Sequence, residues 1–124
     1  MQKQVLINSI SILVGILFLT ACEYTVIKPE PVNPNDTVSF SLNVQPIFER
    51  CNGAGCHVGS GPKPDLAPAN AYKSLMDNGF VIPSNGAGSI LYTCLQAGGV
   101  MAAYGNTKDN GTIKTWIDQG AKNN

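Results

Sequence analysis

Cys51-Asn52-Gly53-Ala54-Gly55-Cys56-His57 constrains this chain more than any other stretch. It holds two thiols, with the only histidine of the 124 residues directly after the second. A histidine joined to a cysteine cannot be placed independently of it, so any bond made by Cys56 also positions the imidazole. Two cysteines followed at once by histidine form the attachment pattern of c-type haem. Each sulfur adds to a vinyl group, and the histidine swings under the ring to ligate the iron. The usual motif is C-x-x-C-H. Here the spacer is longer, running through Asn52, Gly53, Ala54 and Gly55. Vinyl positions are fixed, so the extra residues must bulge away from the ring. Small residues, and glycines able to take positive φ, permit a tight outward bulge.

The chain divides into three parts. Residues 1–21 read as an export signal: Lys3 gives a positive start, Val5 to Leu19 is uncharged and mostly apolar, and Leu19-Thr20-Ala21-Cys22 puts small residues before a cysteine. This resembles a bacterial lipoprotein signal, which implies that Cys22 is lipidated and becomes the mature N-terminus. The alternative is an uncleaved membrane anchor. The apolar stretch is short for a span of ~20 residues, and Asn8, Ser9 and Ser11 interrupt it, so the lipoprotein reading is preferred. Residues 22–38 form a lipidated linker in which Pro29, Pro31 and Pro34 favour an extended chain. Residues 39–124 are the folded domain. Either tether places that domain in a bacterial cell envelope, on the periplasmic or cell-surface side, with the membrane reached through the N-terminal lipid.

Acidic and basic residues balance to zero net charge. The basic residues are scattered, without a stripe, which argues against nucleic acid as a partner. A domain this small buries only ~60% of its unfolded surface. It needs a staple, whether disulfide, metal or cofactor, and a covalent haem would supply an apolar body for short helices to pack around.

Hydrophobic spacing gives an all-α domain of about four short helices. Val44, Ile47, Phe48 and Cys51 follow i, i+3, i+4, i+7 and place a first helix at about Leu42 to Arg50, starting at Asn43 or Val44 because Pro46 fits only a first turn. Cys51 then falls at the helix end, on the buried face. Glycines and prolines make 52–67 a loop. A second helix is expected from Ala69 to Asp77, with Tyr72, Leu75 and Met76 inward and Gly79 as its stop. Ser89 is the expected N-cap of a third helix reaching Gln96, with Ile90, Leu91, Cys94 and Leu95 inward. The last helix follows a Thr107 cap, buries Ile113, Trp116 and Ile117, and ends at Gly120. No alternating β-branched run suggests a sheet.

His57 and one further group would ligate the iron. Met76 and Met101 are the candidates, with no sixth ligand as the third possibility. Met76 sits on an apolar helix face, where methionine usually fills core. Met101 sits in an irregular loop from which its thioether can reach across from His57, and it is preferred. His/Met ligation raises the potential and closes the iron to small ligands, which suits electron transfer.

Three strings of residues carry a resemblance: Phe40 with Val44-Gln45-Pro46-Ile47-Phe48 and Cys51; Ser89-Ile90-Leu91-Tyr92; and Thr112-Ile113, Trp116-Ile117, Gly120-Ala121. They resemble the small mono-haem class I-type cytochrome c domains of secreted and lipoprotein cytochromes. The resemblance spans about residues 39–122. It implies a cytochrome c-like fold in which the first and last helices cross over a pocket for one covalent haem c, bound by Cys51, Cys56, His57 and Met101. It also implies an electron carrier serving a redox protein partner. Two positions depart from the family: the long spacer, and Met101-Ala102-Ala103 where Met-Pro-Pro is usual. Alanines leave that loop freer than prolines would. Cys94 is left as a buried thiol without a partner.

Two non-haem readings compete. Cys51, Cys56, His57 and Cys94 are the right types for a structural zinc, although adjacent Cys56 and His57 make joint coordination awkward. A Cys51–Cys56 disulfide could instead staple a binding module, leaving His57 and Met101 without a role. Within the haem reading, an enzyme such as a peroxidase would need acid–base groups beside the iron. The sequence offers no second histidine, so a carrier, not an enzyme, is expected.

Overall fold

Ser39 starts the first helical stretch. Its backbone is extended and its side chain accepts the Leu42 N–H, which caps the chain as it turns. The computed structural model describes residues 33, 35–53 and 55–124. The expected signal, Cys22, the three linker prolines and Ala54 lie outside these residues.

The entry helix has two contiguous parts, Phe40–Val44 and Gln45–Cys51. The first is wide, of π type, with the Gln45 N–H donating to the Phe40 carbonyl; the second is a tighter 3-10 helix. The change of pitch coincides with Pro46, which has no N–H for the carbonyl four residues back. The helix therefore begins before Asn43, the expected start, because Ser39 rather than Pro46 sets its N-terminus. The expected inner face holds: Val44 and Phe48 are buried, and Ile47 and Cys51 pack against the core.

Helix α1 is Ala71–Asp77, α2 is Ile90–Thr93 and α3 is Thr107–Asp118, with a short 3-10 turn Ala102–Tyr104 before α3. The described residues are helix, turn and irregular chain, with no strand, so the domain is all-α. Each helix corrects the expectation in detail. Helix α1 begins two residues later than Ala69, since residues 68–70 form a turn. Helix α2 stops at Thr93 instead of Gln96. Ser89 occupies its N-cap position without capping; the buried hydroxyl instead donates to the Asn85 carbonyl at 2.8 Å and accepts the Ile82 N–H at 2.9 Å. Ile90, expected inward, is half exposed. The cap of α3 is Asn106, whose side chain accepts the Asp109 N–H, and Thr107 is the first helical residue.

Phe40, Trp116 and Tyr72 form the centre of the core, with ring centroids 5.2 Å apart for Phe40–Trp116 and 5.3 Å for Phe40–Tyr72. The Phe40–Trp116 contact packs the start of the entry helix against α3. Ile113, Trp116 and Ile117 are fully buried, as their spacing predicts. Gly120 at φ +98° and Ala121 at φ +50° reverse the chain after α3. Two buried polar tips fix that reversal: Tyr72 Oη–H donates to the Ala121 carbonyl at 3.0 Å and Trp116 Nε1–H to the Lys122 carbonyl at 2.9 Å. The fold also reaches into the expected linker. Val38 is buried and its N–H donates to Gln119 Oε1, while Gln119 Nε2–H donates to the Asp36 carbonyl.

Candidate functional site

The entry helix ends at Cys51, and the chain turns back on that residue at once. The His57 N–H donates to the Cys51 carbonyl at 3.0 Å, and the Cys56 N–H donates to the Gly53 carbonyl at 2.9 Å. These bonds close the spacer into a small loop. Gly53 and Gly55 are exposed on it, and Gly55 sits at φ +81° with nothing within 4 Å of where a β-carbon would stand. Gly53 is exposed and is not part of the cleft lining, whereas Gly55 borders the same cleft as Cys51 and Cys56, so the described spacer residues do not simply bulge outward.

After His57 the chain folds tightly over Cys56. A methyl group on Gly61 would stand 1.8 Å from the Cys56 carbonyl oxygen, so only glycine fits there. This brings the next residues back over the imidazole. His57 Nδ1 lies 3.1 Å from both the Pro62 and Pro64 carbonyl oxygens. Both neighbours can only accept, so Nδ1 carries a proton, and in the neutral ring that leaves Nε2 to present the lone pair. A metal-ligating histidine is held in this way, with its second nitrogen donating to a backbone carbonyl.

One open cleft of about 300 Å³ collects the sequence-derived residues. Cys51, Cys56, His57 and Met101 all line it, together with Cys94. Its walls are mainly apolar: Phe48 from the entry helix, Leu66 and Phe80 from the loops flanking α1, Leu91 from α2, and Ile113 from α3. Its volume falls in the range of ~300–1,000 Å³ usual for ligand clefts. Ile90, Val100 and Tyr104 also line it, and all three are more than half exposed, giving an apolar rim. Met76 is not part of the lining and packs on the core. The structure therefore separates the two methionines, with only Met101 facing the thiols and the imidazole.

Burial pushes the Cys51 thiol above its ordinary pKa, against the smaller opposing pull of the Arg50 guanidinium. Burial raises the Cys94 thiol as well. Cys94 is half-buried rather than buried, and its Sγ–H donates to the Leu91 carbonyl at 3.3 Å. Arg50, beside Cys51, pairs with Asp109 in the first turn of α3, which ties the end of the entry helix to that helix.

The donor set suits a covalent haem. There are two thiols for the two vinyl groups, an oriented imidazole, a thioether in the same cleft and apolar walls. It suits zinc less well: among the described residues no three His, Cys, Asp or Glu side chains stand together to hold an ion. Cys51, Cys56 and Cys94 are all free thiols.

Sequence reasoning passed over two features of the site. The Pro62 and Pro64 carbonyls are backbone atoms, and no side-chain pattern announces them. Asn110 lines the cleft. Its signal was in the helical register, because Asn110, Ile113 and Ile117 share one face at i, i+3 and i+7.

No family model, curated protein or solved structure matches this chain.

Proposed function

We propose that this chain is an electron-transfer cytochrome with the small cytochrome c-like fold. One haem c would be held through thioethers at Cys51 and Cys56, with His57 and Met101 as axial ligands. The observation that carries the reading is the convergence of both thiols, the imidazole and the Met101 thioether on one apolar cleft. The bound group would supply a one-electron iron centre.

The residues of the chain supply the rest. The Pro62 and Pro64 carbonyls hold the His57 proton on Nδ1 and so offer Nε2 to the metal. A thioether from Met101 would raise the reduction potential and close the sixth position. Apolar walls exclude water from the centre. The exposed apolar rim of Ile90, Val100 and Tyr104 supports a large apolar occupant, since a small domain rarely leaves such a patch uncovered.

The chain would act outside the cytoplasm of a bacterium, tethered to a membrane by lipid on Cys22. It would exchange electrons with a redox protein whose approach owes little to long-range steering, given zero net charge.

The test is expression of the whole chain in a bacterial host that exports proteins and attaches c-type haem. A Soret band, a haem stain that survives denaturation and an intact mass of protein plus one haem are expected, and all three should be lost in the Cys51→Ser/Cys56→Ser double variant. Purified protein without covalent haem overturns the reading in favour of a zinc site or a disulfide-stapled module. Zinc content and a thiol count then separate those two. A mature protein still beginning at Met1 overturns the lipid anchor alone.

A further inference from the structure

The segment carrying Met101 leaves α2 and returns to α3 as a loop whose two ends touch. A methyl group built on Gly105 would stand 2.5 Å from the Leu95 carbonyl oxygen, so the backbones of Leu95 and Gly105 are already in contact. The side chain of Asn110, from α3, lies across this neck. Its Nδ2–H donates to the Leu95 carbonyl at 3.0 Å. The same methyl group on Gly105 would stand 3.0 Å from Nδ2 and 3.1 Å from Oδ1, so the carboxamide lies flat against Gly105. Within the loop, the Met101 N–H donates to the Cys94 carbonyl and the Tyr104 N–H to the Met101 carbonyl, both at 2.9 Å. These bonds shape the loop locally. Asn110 links its neck to α3, whose Ile113 forms part of the cleft wall.

We propose that Asn110 is the positioning residue for Met101: it holds the neck between Leu95 and Gly105 closed and thereby keeps the Met101 thioether over the cleft. This rests on the reading of Met101 as an axial ligand. It also accounts for how a loop with Ala102-Ala103 can present a ligand without prolines to stiffen it. The constraint that proline would impose at the loop tip is imposed at its base.

Two substitutions open the neck differently. Asn110→Asp keeps the shape, but the carboxylate is an acceptor only and cannot donate to the Leu95 carbonyl. Gly105→Ala forces the backbones apart. At φ −85° and ψ 156° alanine is unstrained, so its effect is steric crowding at the neck. Thr112→Ala is the control, removing an exposed side-chain bond on α3.

The readouts are the ferric iron–thioether charge-transfer band, the affinity for added imidazole as a competitor for the sixth position, and the urea midpoint. In both neck variants the band should weaken, and imidazole should bind about tenfold more tightly, the loss expected when this part-buried hydrogen bond is broken. Thr112→Ala should match the wild type. A merely structural role would lower the urea midpoint without moving imidazole affinity, and that result overturns the proposal. If the wild type has no such band, or Met101→Ala leaves it unchanged, the axial-ligand reading itself has failed and the proposal falls with it.

Should neither variant fold, the wild type alone decides. Coupling is reciprocal, so displacing Met101 with imidazole should speed hydrogen exchange of the Asn110 carboxamide protons. Unchanged exchange overturns the proposal.

Discussion

The His57 N–H donates to the Cys51 carbonyl at 3.0 Å, so the two ends of the long spacer are joined through the backbone. The spacer is thereby closed into a small loop, with Gly53 exposed and Gly55 bordering the cleft. Gly55 is the point of that loop where a side chain would be strained, at φ +81°, with nothing within 4 Å of where a β-carbon would stand. Gly55→Ala should cost about 1–2 kcal/mol through backbone strain, read as a lower urea midpoint. An unchanged midpoint would show that the loop takes up alanine without strain.

The two methionines should behave in opposite ways. Met101→Ala should remove the thioether band, lower the midpoint potential and admit cyanide or imidazole readily, because the strongest reason for a closed sixth position is gone. Met76→Leu keeps the volume of a side chain packed on the core. It should cost less than ~1.5 kcal/mol and leave the spectrum and potential where they were. If Met76→Leu moves the potential and Met101→Ala does not, the ligand has been assigned to the wrong loop.

Much of this was legible in the sequence where side chains carry the information. The Val44, Ile47, Phe48, Cys51 face and the Ile113, Trp116, Ile117 face follow from helical spacing, and both are found buried or packed on the core. Cys51, Cys56, His57 and Met101 were named by chemistry, and the fold brings them to one cleft. What escaped was set by backbone and by competition among polar groups. Ser89 reads as a cap, yet its hydroxyl serves Asn85 and Ile82, which a local rule cannot foresee. The first helix starts early because Ser39 caps it, and it changes pitch at Pro46 instead of beginning there. Asn110 was overlooked because an apolar-face reading skips a polar residue on that face.

The reversal after α3 offers a stability test separate from the cleft. Tyr72 Oη–H donates to the Ala121 carbonyl at 3.0 Å, and Ala121 itself sits at φ +50°. Tyr72→Phe keeps the ring against Phe40 and Trp116 but removes the donor. It should destabilise the domain by about 0.5–1.5 kcal/mol, with no change in the haem spectrum. Trp116→Ala removes the central ring and should cost about 3–5 kcal/mol, a large share of the stability of a domain this small. Equal urea midpoints for wild type and Tyr72→Phe would show that the bond to Ala121 contributes nothing.

Acid should weaken the fold through two aspartates with depressed pKa values. The Ala67 N–H, and then the Asn70 amide, hold Asp65 below its ordinary 3.8. The Lys114 side chain does most to hold Asp118 below 3.8, with help from the Gly86 N–H. In each case the folded state takes up a proton less readily than the unfolded one. Their contribution is complete above the unfolded value and is lost as pH falls below 3.8 through the folded pKa. The sign is opposite for Lys114, which Asp118 raises above 10.5: its contribution holds below 10.5 and disappears as pH climbs through the folded value. Urea midpoints should therefore drop on both flanks of a plateau. Asp65→Asn should flatten part of the acid flank with little dependence on salt, because its hydrogen-bond partners Ala67 and Asn70 are neutral and the Lys63 charge is the smallest contribution. Asp118→Asn should flatten less of it, and salt should erase the difference, because an exposed ion pair is screened. An acid flank untouched by either substitution would place the acid-sensitive groups elsewhere in the domain.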